Sequence, residues 1–169
     1  MTEQKKDSSQ VLAKGYTMRG QRVEPLSADQ IAKIIPTFCS KLGIDKDFPN
    51  KIYDFIDAVY NQFGLTIDEV EDQSWMRGIT NGHYDPNTLT IRLPASVIRN
   101  AQSKNPMVQR NALHIILHEL GHFGLSHKAV LHDTDEPPSP EIDSEVQADL
   151  FADFILSYLG ISAQLELAF

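Results

Sequence analysis

The stretch His118-Glu119-Leu120-Gly121-His122, preceded by the apolar run Ala112-Leu113-His114-Ile115-Ile116-Leu117, is the most informative part of the sequence. On an α-helix, residues four apart lie on one face about 40° from each other, so His118 and His122 can offer two imidazole nitrogens to one ion. Glu119 lies about 100° around the helix from His118, which places its carboxylate beside the ion. Two ligands and an adjacent base suit hydrolytic zinc chemistry. The motif therefore predicts a zinc site that still needs a third ligand.

Length, composition and charge exclude several classes of protein. The 169 residues suit one domain, and the 41% hydrophobic content is typical of a globular protein. The net charge of -8 argues against direct binding of nucleic acid, which requires a clustered excess of Lys and Arg. No run of roughly 18 apolar residues is present to span a membrane, and Met1–Gln10 lacks the apolar centre of a signal peptide. The single cysteine excludes an internal disulfide and favours a reducing, cytoplasmic location.

The chain divides into three parts. Residues 1–23 are polar without a sustained apolar period, and they predict a disordered leader. Residues 24–160 carry the periodic segments and the motif, and they predict the folded domain. Residues 161–169 form an apolar C-terminal tail.

Apolar periodicity predicts two helices in the first half of the domain. The first spans Ala28–Leu42 and begins with the capping box Ser27–Gln30, while Pro36 inside it predicts a kink or break. The second spans residues 47–63 and ends before a glycine. Cys39 lies among the apolar residues of the first helix, which favours a small buried side chain over a catalytic thiol.

Three segments predict a small sheet, which would be mainly antiparallel. Residues 65–70 and 88–93 alternate apolar and polar side chains, and residues 75–84 form a weaker candidate because they contain two glycines. If residues 88–93 lie at the sheet edge, that strand can bind an extended substrate as an added strand. A short helix is predicted over residues 94–102.

Two further helices complete the domain. The motif helix is predicted from about Pro106 to Phe123, and it is apolar on most of its circumference, so it should be central. An acidic, proline-rich loop covers residues 128–140. The last helix begins near Ser139 and continues to about Leu159. The fold class is therefore α+β, mostly helical, with a three-stranded, mainly antiparallel sheet beside the motif helix.

The third zinc ligand must come from outside the motif. A common extension of the motif places a glycine three residues and a histidine six residues after the second histidine. Leu125 and Lys128 occupy these positions, and the nearby Gly124 and His127 are each one residue early. The last helix is therefore the place to look.

Glu145 and Asp149 fall inside the apolar stripe of the last helix, about 40° apart. A buried carboxylate costs several kcal/mol unless a positive or hydrogen-bonding group meets it, and zinc bound by Glu145 removes that cost. Asp149 can then accept the free N–H of His118 or His122 as a second-shell partner. Other polar residues of this helix point away from the stripe and are predicted to be solvated: Asp143, Gln147 and Asp153.

Alternatives to these assignments remain. Both carboxylates can instead pair with Arg or Lys in a structural network, and Glu141 is another candidate ligand on the same stripe. His114 lies one turn before His118 and can add a ligand or be an ordinary core histidine. Three residues are candidate hydrogen-bond donors to an oxyanion, although each can instead have only an ordinary packing role: Tyr84, His127 and His132.

Several stretches together resemble the ImmA/IrrE family of metallo-endopeptidases. They are Val23–Ser27, the apolar lead-in to His118–His122, and Glu145–Ala152, within a match of roughly Pro25 to Leu159. The resemblance implies a zincin-like fold and a gluzincin-like site with His118, His122 and Glu145 as zinc ligands, Glu119 as base and Asp149 as second shell. The chain departs from the family pattern at Gln147, where an acidic residue is common, and at Asp149, where Asn is common. The sequence also contains no fused helix-turn-helix or sensor domain.

The expected function is that of a zinc-dependent endopeptidase with one Zn²⁺ ion. The resemblance implies cleavage of a protein substrate, such as a helix-turn-helix repressor encoded nearby, without direct contact to nucleic acid or membrane. The alternative is a catalytically silent zinc-binding module that regulates a repressor or toxin partner. A fourth protein ligand would favour this alternative, since structural zinc sites normally have four.

Overall fold

A computed structural model describes residues 15–75, 80–130 and 136–161. These residues form an α+β fold with five α-helices and one three-stranded sheet. Three short 3₁₀ segments cover Phe48–Lys51, Asp72–Ser74 and Pro140–Ile142. In chain order the elements are α1 (Ala28–Leu42), α2 (Ile52–Phe63), β1 (Thr66–Val70), β2 (His83–Asp85), β3 (Thr90–Pro94), α3 (Ala95–Asn100), α4 (Pro106–Gly124) and α5 (Ser144–Tyr158).

Helix α4, which carries the motif, lies at the centre of the core. The Asn105 side chain begins it by accepting hydrogen bonds from the backbone N–H groups of Met107 and Val108. The helix contacts α3, α5, β2 and β3, so its predicted central position is confirmed. Its buried residues are Ala112, Leu113, Ile116, Leu117, Glu119, Leu120 and Gly121. None of the helices in the described part of the chain has the length and apolarity needed to cross a membrane.

Helix α5 lies close against α4 because small residues form the contact. A Cβ atom built on Gly121 would lie 3.3 Å from the Cα atom of Ala148 and 3.0 Å from the Cδ1 atom of Phe151. The Phe151 ring is fully buried and meets the ring of Phe38 on α1 edge-on at 4.8 Å. Packing at this point brings the polar residues one turn away on α4 and α5 into contact range.

Helix α1 has the predicted ends. The Ser27 hydroxyl accepts the Gln30 N–H, the Gln30 side chain accepts the Ser27 N–H, and Gly43 ends the helix with a φ of 67°. The break predicted at Pro36 is absent, since the helix is continuous from Ala28 to Leu42. Pro36 lies on the exposed face, where water can bond to the carbonyl that loses its helical partner.

The sheet is mixed, with strand order β1-β3-β2, so the expectation of a mainly antiparallel sheet is wrong. Strand β3 pairs parallel with β1 over Thr66–Val70 and antiparallel with β2 over His83–Asp85. The long connection between β1 and β3, which includes β2, gives the chain room to return parallel to β1. Strand β3 is therefore central and cannot add a substrate strand, whereas β2 lies at an edge.

The segment predicted as a strand over residues 75–84 is much shorter than expected. Only His83 and Tyr84 from it belong to β2, and residues 76–79 lie outside the described part of the chain. The 3₁₀ turn Asp72–Ser74 precedes it, and the Trp75 indole N–H donates to the Thr80 carbonyl.

Two residues of α5 and its cap that were predicted to be solvated are buried. Asp143 is fully buried as the N-cap of α5, and Gln147 is 1% exposed. Asp153 is exposed, as predicted. The error arises because residues 16–24, assigned by sequence to the leader and its border, cover this side of α5.

The N-terminal segment, residues 15–24, is held by both backbone and side-chain contacts. The Asp143 carboxylate accepts the backbone N–H groups of Arg19 and Gly20 at 2.7 and 3.0 Å and the Tyr16 hydroxyl at 2.8 Å. The Val23 N–H donates to the Ile142 carbonyl, and Val23 is buried. The packed structure therefore begins before the predicted boundary at residue 24. Residues 1–14 of the predicted leader and 162–169 of the predicted tail lie outside the described residues.

Replacing Asp143 with Ala should destabilise the fold and loosen this segment. The variant loses the acceptor of several N–H and O–H groups, so we expect the free energy of unfolding to fall by about 1–3 kcal/mol. Burial alone would raise the pKa of Asp143, but hydrogen bonds from Arg19, Tyr16, Glu145 and Gly20 lower it. The stabilisation is thus complete above the unfolded-state pKa near 3.8 and is lost as the pH falls through the lower native pKa.

Urea unfolding of wild type and Asp143→Ala between pH 7 and pH 2 measures the loss of stability. Hydrogen exchange at the Arg19 and Gly20 amides measures how tightly the N-terminal segment is held. Asp57→Ala, an exposed acidic residue on α2, is the control. Equal losses of stability in the two variants, or unchanged exchange at Arg19 and Gly20, would contradict the role given to Asp143.

Candidate metal centre

Three side chains from two helices converge on one point. The Nε2 atoms of His118 and His122, one turn apart on α4, are 3.2 Å from each other. Glu145, in the first turn of α5, places Oε2 2.8 Å from the Nε2 atom of His118 and Oε1 3.4 Å from the Nε2 atom of His122. Among the described residues, these three form the group whose ligand atoms lie close enough to share a metal ion. The structure thus brings together the three ligands proposed from the sequence.

The dimensions of this group fit zinc. A tetrahedral zinc ion with bonds of about 2.0–2.1 Å separates its ligand atoms by about 3.3 Å, close to the 3.2 and 3.4 Å separations found at His122. Two imidazoles and one carboxylate are also a common donor set for zinc. The contact between His118 and Glu145 is shorter, at hydrogen-bond length. A proton or a metal ion between these two acceptors stabilises the arrangement.

The pKa values of His118 and Glu145 reflect the short contact between them. Burial alone would lower the pKa of His118, but hydrogen bonds with Asp149 and Glu145 raise it to about 9. The hydrogen bond from His118 holds the pKa of the Glu145 carboxyl well below its usual range. The site therefore favours positive charge at its centre.

Asp149 meets His118 on the side away from this centre. Its Oδ1 atom lies 2.7 Å from the Nδ1 atom of His118, and its Oδ2 atom lies 3.0 Å from a guanidinium nitrogen of Arg19. The expected contact between Asp149 and a motif histidine is present. Since a carboxylate only accepts, His118 carries a hydrogen on Nδ1. Its Nε2 atom then donates to Glu145 when no metal ion is bound, or offers its lone pair to an ion that takes the place of that proton.

Glu119 faces the same cleft without joining the ligand group. Its side chain is 7% exposed, and burial raises the pKa of its carboxyl. Gly82 approaches it closely, since a Cβ atom on Gly82 would lie 2.9 Å from the Cγ atom of Glu119. A glycine at this position leaves room for the carboxylate beside the ligand group.

Two adjoining cavities of about 660 and 550 Å³ form the cleft above these residues. Both are lined by Arg19, Gly82, Glu119 and Glu145, so they meet at the ligand group. The larger cavity extends along the edge strand β2, and the smaller one extends toward His114. The ligand group is thus open to molecules larger than water.

His127 has contacts that oppose its proposed role as an oxyanion donor. Its Nδ1 atom lies 2.8 Å from the Nδ1 atom of His122, and its Nε2 atom lies 2.7 Å from the Oε1 atom of Gln147. Burial lowers the pKa of His127 to about 4, so the ring is neutral at pH 7 and has one N–H. That N–H is already used within this set of contacts.

The other residues that the sequence suggested for the site lie in different places. Tyr84 lines the larger cavity, and the centroid of its ring lies 6.3 Å from that of Phe123. Its role as an oxyanion donor stays a prediction. The Nε2 atom of His114 lies 3.3 Å from Asp153, so His114 is outside the ligand group. The side chain of Glu141 is exposed, and His132 lies outside the described residues. Cys39 is buried, as predicted, and burial raises the pKa of its thiol to about 11.

Sequence reasoning missed two residues that contact the neighbours of the candidate ligands, Arg19 at Asp149 and Gln147 at His127. Nothing in the polar N-terminal stretch marks Arg19, whose contact with Asp149 depends on docking of residues 15–23. Gln147 was predicted to be solvated, and its only signal was an uncharged amide among acidic neighbours on α5.

Comparisons with known proteins add little to this site. No model of a protein family and no curated protein matches the chain. Among solved structures, the chain is similar to a Mycobacterium tuberculosis transcriptional regulator with a TM-score of 0.43 and 15% sequence identity. The match covers 75% of this chain and 42% of that chain, so it spans less than half of the regulator. Similarity at this level does not establish a shared fold or function.

Replacing Asp149 with Leu should weaken zinc binding, because leucine is similar in size but cannot accept the Nδ1–H of His118. The variant removes the negative charge that holds His118 and leaves Arg19 without its partner, so we expect affinity for zinc to fall about 10–100-fold. Competition with a chromophoric chelator measures the affinity. Asp153→Leu, one turn further along α5 and exposed, is the matched control. Equal zinc affinity in the two variants would contradict a specific role for Asp149.

Proposed function

We propose that this protein is a zinc-dependent endopeptidase with a zincin-like fold, which hydrolyses a peptide bond of a protein substrate. The observation that carries the proposal is the convergence of His118, His122 and Glu145 in a cleft that also contains the buried carboxylate of Glu119. In this proposal the first three residues hold zinc, and Glu119 is the general base.

The number of ligands supports an enzyme over a structural zinc site. Catalytic zinc sites have three protein ligands and keep one position for water or substrate, whereas structural sites are closed by four. Within the described residues, the ligand group has three members, and His114 is turned toward Asp153 instead. This count favours the peptidase over the silent zinc-binding module.

The mechanism assigns one task to each residue. When bound, zinc lowers the pKa of water toward about 7 and polarises a carbonyl group. Glu119 takes a proton from the attacking water and later delivers it to the leaving amide nitrogen. Burial, which raises the pKa of Glu119, helps it to hold the proton between these two steps. Asp149 keeps the Nε2 lone pair of His118 directed at the ligand position.

Substrate is proposed to bind along β2. This strand is at an edge of the sheet, and its residues His83, Tyr84 and Asp85 line the larger cavity beside Glu119. An extended peptide added to a strand edge gains backbone hydrogen bonds, and its side chains alternate between sheet faces. A substrate segment that is extended and accessible is therefore favoured over a folded helix.

The class of substrate follows from charge and from the resemblance to ImmA/IrrE peptidases. The protein carries a net charge of -8, which favours association with a basic partner and disfavours competition for DNA phosphates. DNA-binding repressors of the helix-turn-helix type are basic and are the substrates that the resemblance implies. We propose such a regulator, encoded beside this protein, as the substrate.

Replacing Glu119 with Gln should abolish cleavage and preserve zinc binding. The amide matches the carboxylate in size but cannot accept the proton, so we expect the rate to fall by about 10²–10⁴-fold. The assay incubates zinc-loaded protein with the regulator from the neighbouring reading frame and follows the products by intact mass. Zinc content is measured on the same samples.

Two controls make this test specific. Removal of zinc with a chelator should stop cleavage by the wild type, and addition of zinc should restore it. Cleavage by Glu119→Gln at the wild-type rate would exclude Glu119 as the base. Zinc-loaded wild type that leaves the regulator intact would exclude that substrate.

A further inference from the structure

A chain of hydrogen bonds links the metal ligand His122 to the backbone of the N-terminal segment. The Nδ1 atom of His122 lies 2.8 Å from the Nδ1 atom of His127, and the Nε2 atom of His127 lies 2.7 Å from the Oε1 atom of Gln147. The amide nitrogen of Gln147 donates to the carbonyl oxygens of Glu24 and Glu141, at 2.9 and 2.7 Å.

The two carbonyl groups fix the orientation of the Gln147 amide. Carbonyl oxygens only accept hydrogen bonds, so the NH₂ group must face Glu24 and Glu141, and Oε1 must face His127. Rotation of the amide by 180° would replace two hydrogen bonds with two contacts between acceptors. Gln147 is 1% exposed, so water cannot offset that loss.

The orientation of Gln147 then determines which nitrogen of each imidazole carries hydrogen. Since Oε1 of Gln147 accepts, the hydrogen of His127 is on Nε2 and its lone pair is on Nδ1. The lone pair on Nδ1 requires a donor, so His122 carries its hydrogen on Nδ1. The lone pair of His122 is consequently on Nε2, the atom that faces His118 and Glu145.

The backbone places His127 for this contact. Helix α4 ends at Gly124, Ser126 adopts a left-handed conformation with a φ of 52°, and the His127 N–H donates to the His122 carbonyl at 3.0 Å. This turn folds His127 back over the last turn of the helix. His122 and His127 are therefore joined by a backbone hydrogen bond and by the contact between their imidazole rings.

We propose that His127 and Gln147 are positioning residues, which hold His122 in the tautomer that presents Nε2 to the metal ion. The inference rests on the zinc site of the proposed function but not on peptidase activity. It gives His122 the same kind of support that Asp149 gives His118, through neutral groups instead of a carboxylate. It also assigns a role to Gln147, where the sequence departs from the ImmA/IrrE pattern.

Zinc affinity of a series of His127 variants tests the proposal without an activity assay. His127→Leu removes the acceptor, and we expect zinc affinity to fall about 10–100-fold. His127→Asn places an amide oxygen near the position of Nδ1, so it should restore most of the lost affinity. Gln147→Met keeps the length of the side chain but not its acceptor or donors, and should weaken zinc binding as His127→Leu does. Lys128→Leu, an exposed neighbour in the same turn, is the control and should bind zinc as the wild type does.

Nitrogen-15 NMR of histidine-labelled, zinc-loaded wild type gives a second measurement that needs no variant. We expect hydrogen on Nε2 of His127 and on Nδ1 of His122, with a scalar coupling between the two Nδ1 nuclei across the hydrogen bond. Hydrogen on Nδ1 of His127 would overturn the proposal, even where the variants fail to fold. Wild-type zinc affinity in His127→Leu would also overturn it.

The outcomes separate this inference from the proposed function. If the wild type binds zinc and the His127 and Gln147 variants bind it equally well, the positioning role alone is wrong. If the wild type binds no zinc, the metal site itself is wrong, and the proposed peptidase fails with it. If zinc binding responds as expected but no substrate is cut, the positioning role stands and the endopeptidase proposal fails.

Discussion

The close approach of α4 and α5 sets the geometry of everything in the cleft. Gly121 faces Ala148 and Phe151, where a single added methyl group would lie 3.0 Å from the Phe151 ring and 3.3 Å from the Ala148 Cα atom. Close to this contact, His118, His122 and Glu145 have ligand atoms separated by 2.8 to 3.4 Å. Protein interiors are close-packed and hardly compressible, so the distance between the helices is fixed by packing and not by the ligands. A site assembled in this way is preorganised for an ion before the ion arrives.

A second layer of contacts then fixes the direction of each ligand. Asp149 contacts and orients His118. His127, which is bonded to Gln147, contacts His122 in the same way. Both of these supports reach the N-terminal segment, through Arg19 in one case and the Glu24 carbonyl in the other. Buried polar groups are tolerated only when they are hydrogen-bonded, and this segment supplies the partners that α5 alone lacks.

The parts of the structure that depend on nearby residues were predictable. The capping box Ser27–Gln30 and the apolar period of residues 106–123 are local signals, and α1 and α4 have the expected bounds within one residue. Placement of Glu145 opposite the motif also followed from local rules, because an acidic residue in an apolar helical stripe needs a positive partner. The same rule was misapplied to Gln147, which was predicted to be solvated although its side chain bonds to His127 and to the carbonyl groups of Glu24 and Glu141.

Strand order required information that the sequence does not carry locally. The alternation in residues 65–70 and 88–93 identified β1 and β3, but alternation is the same for parallel and antiparallel neighbours. Their parallel pairing results from packing of the whole chain around α4. It moves β3 to the centre of the sheet and leaves β2 as the strand that borders the cleft. The proposed substrate edge therefore changed from the most regular strand to the shortest one.

In the proposed zinc site, docking of the N-terminal segment and binding of zinc are thermodynamically coupled. Ordering each residue of the segment costs about 1–2 kcal/mol of conformational entropy, which the contacts of Asp143, Val23 and Gln147 have to offset. If the docked segment holds both histidines in the ligating tautomer, it raises zinc affinity by some factor, and zinc strengthens docking by the same factor. At a zinc concentration of 100 times Kd, binding adds about 2.7 kcal/mol to the stability of the native state. Residues 15–23, which sequence patterns separate from the domain, are thus energetically coupled to the proposed metal centre.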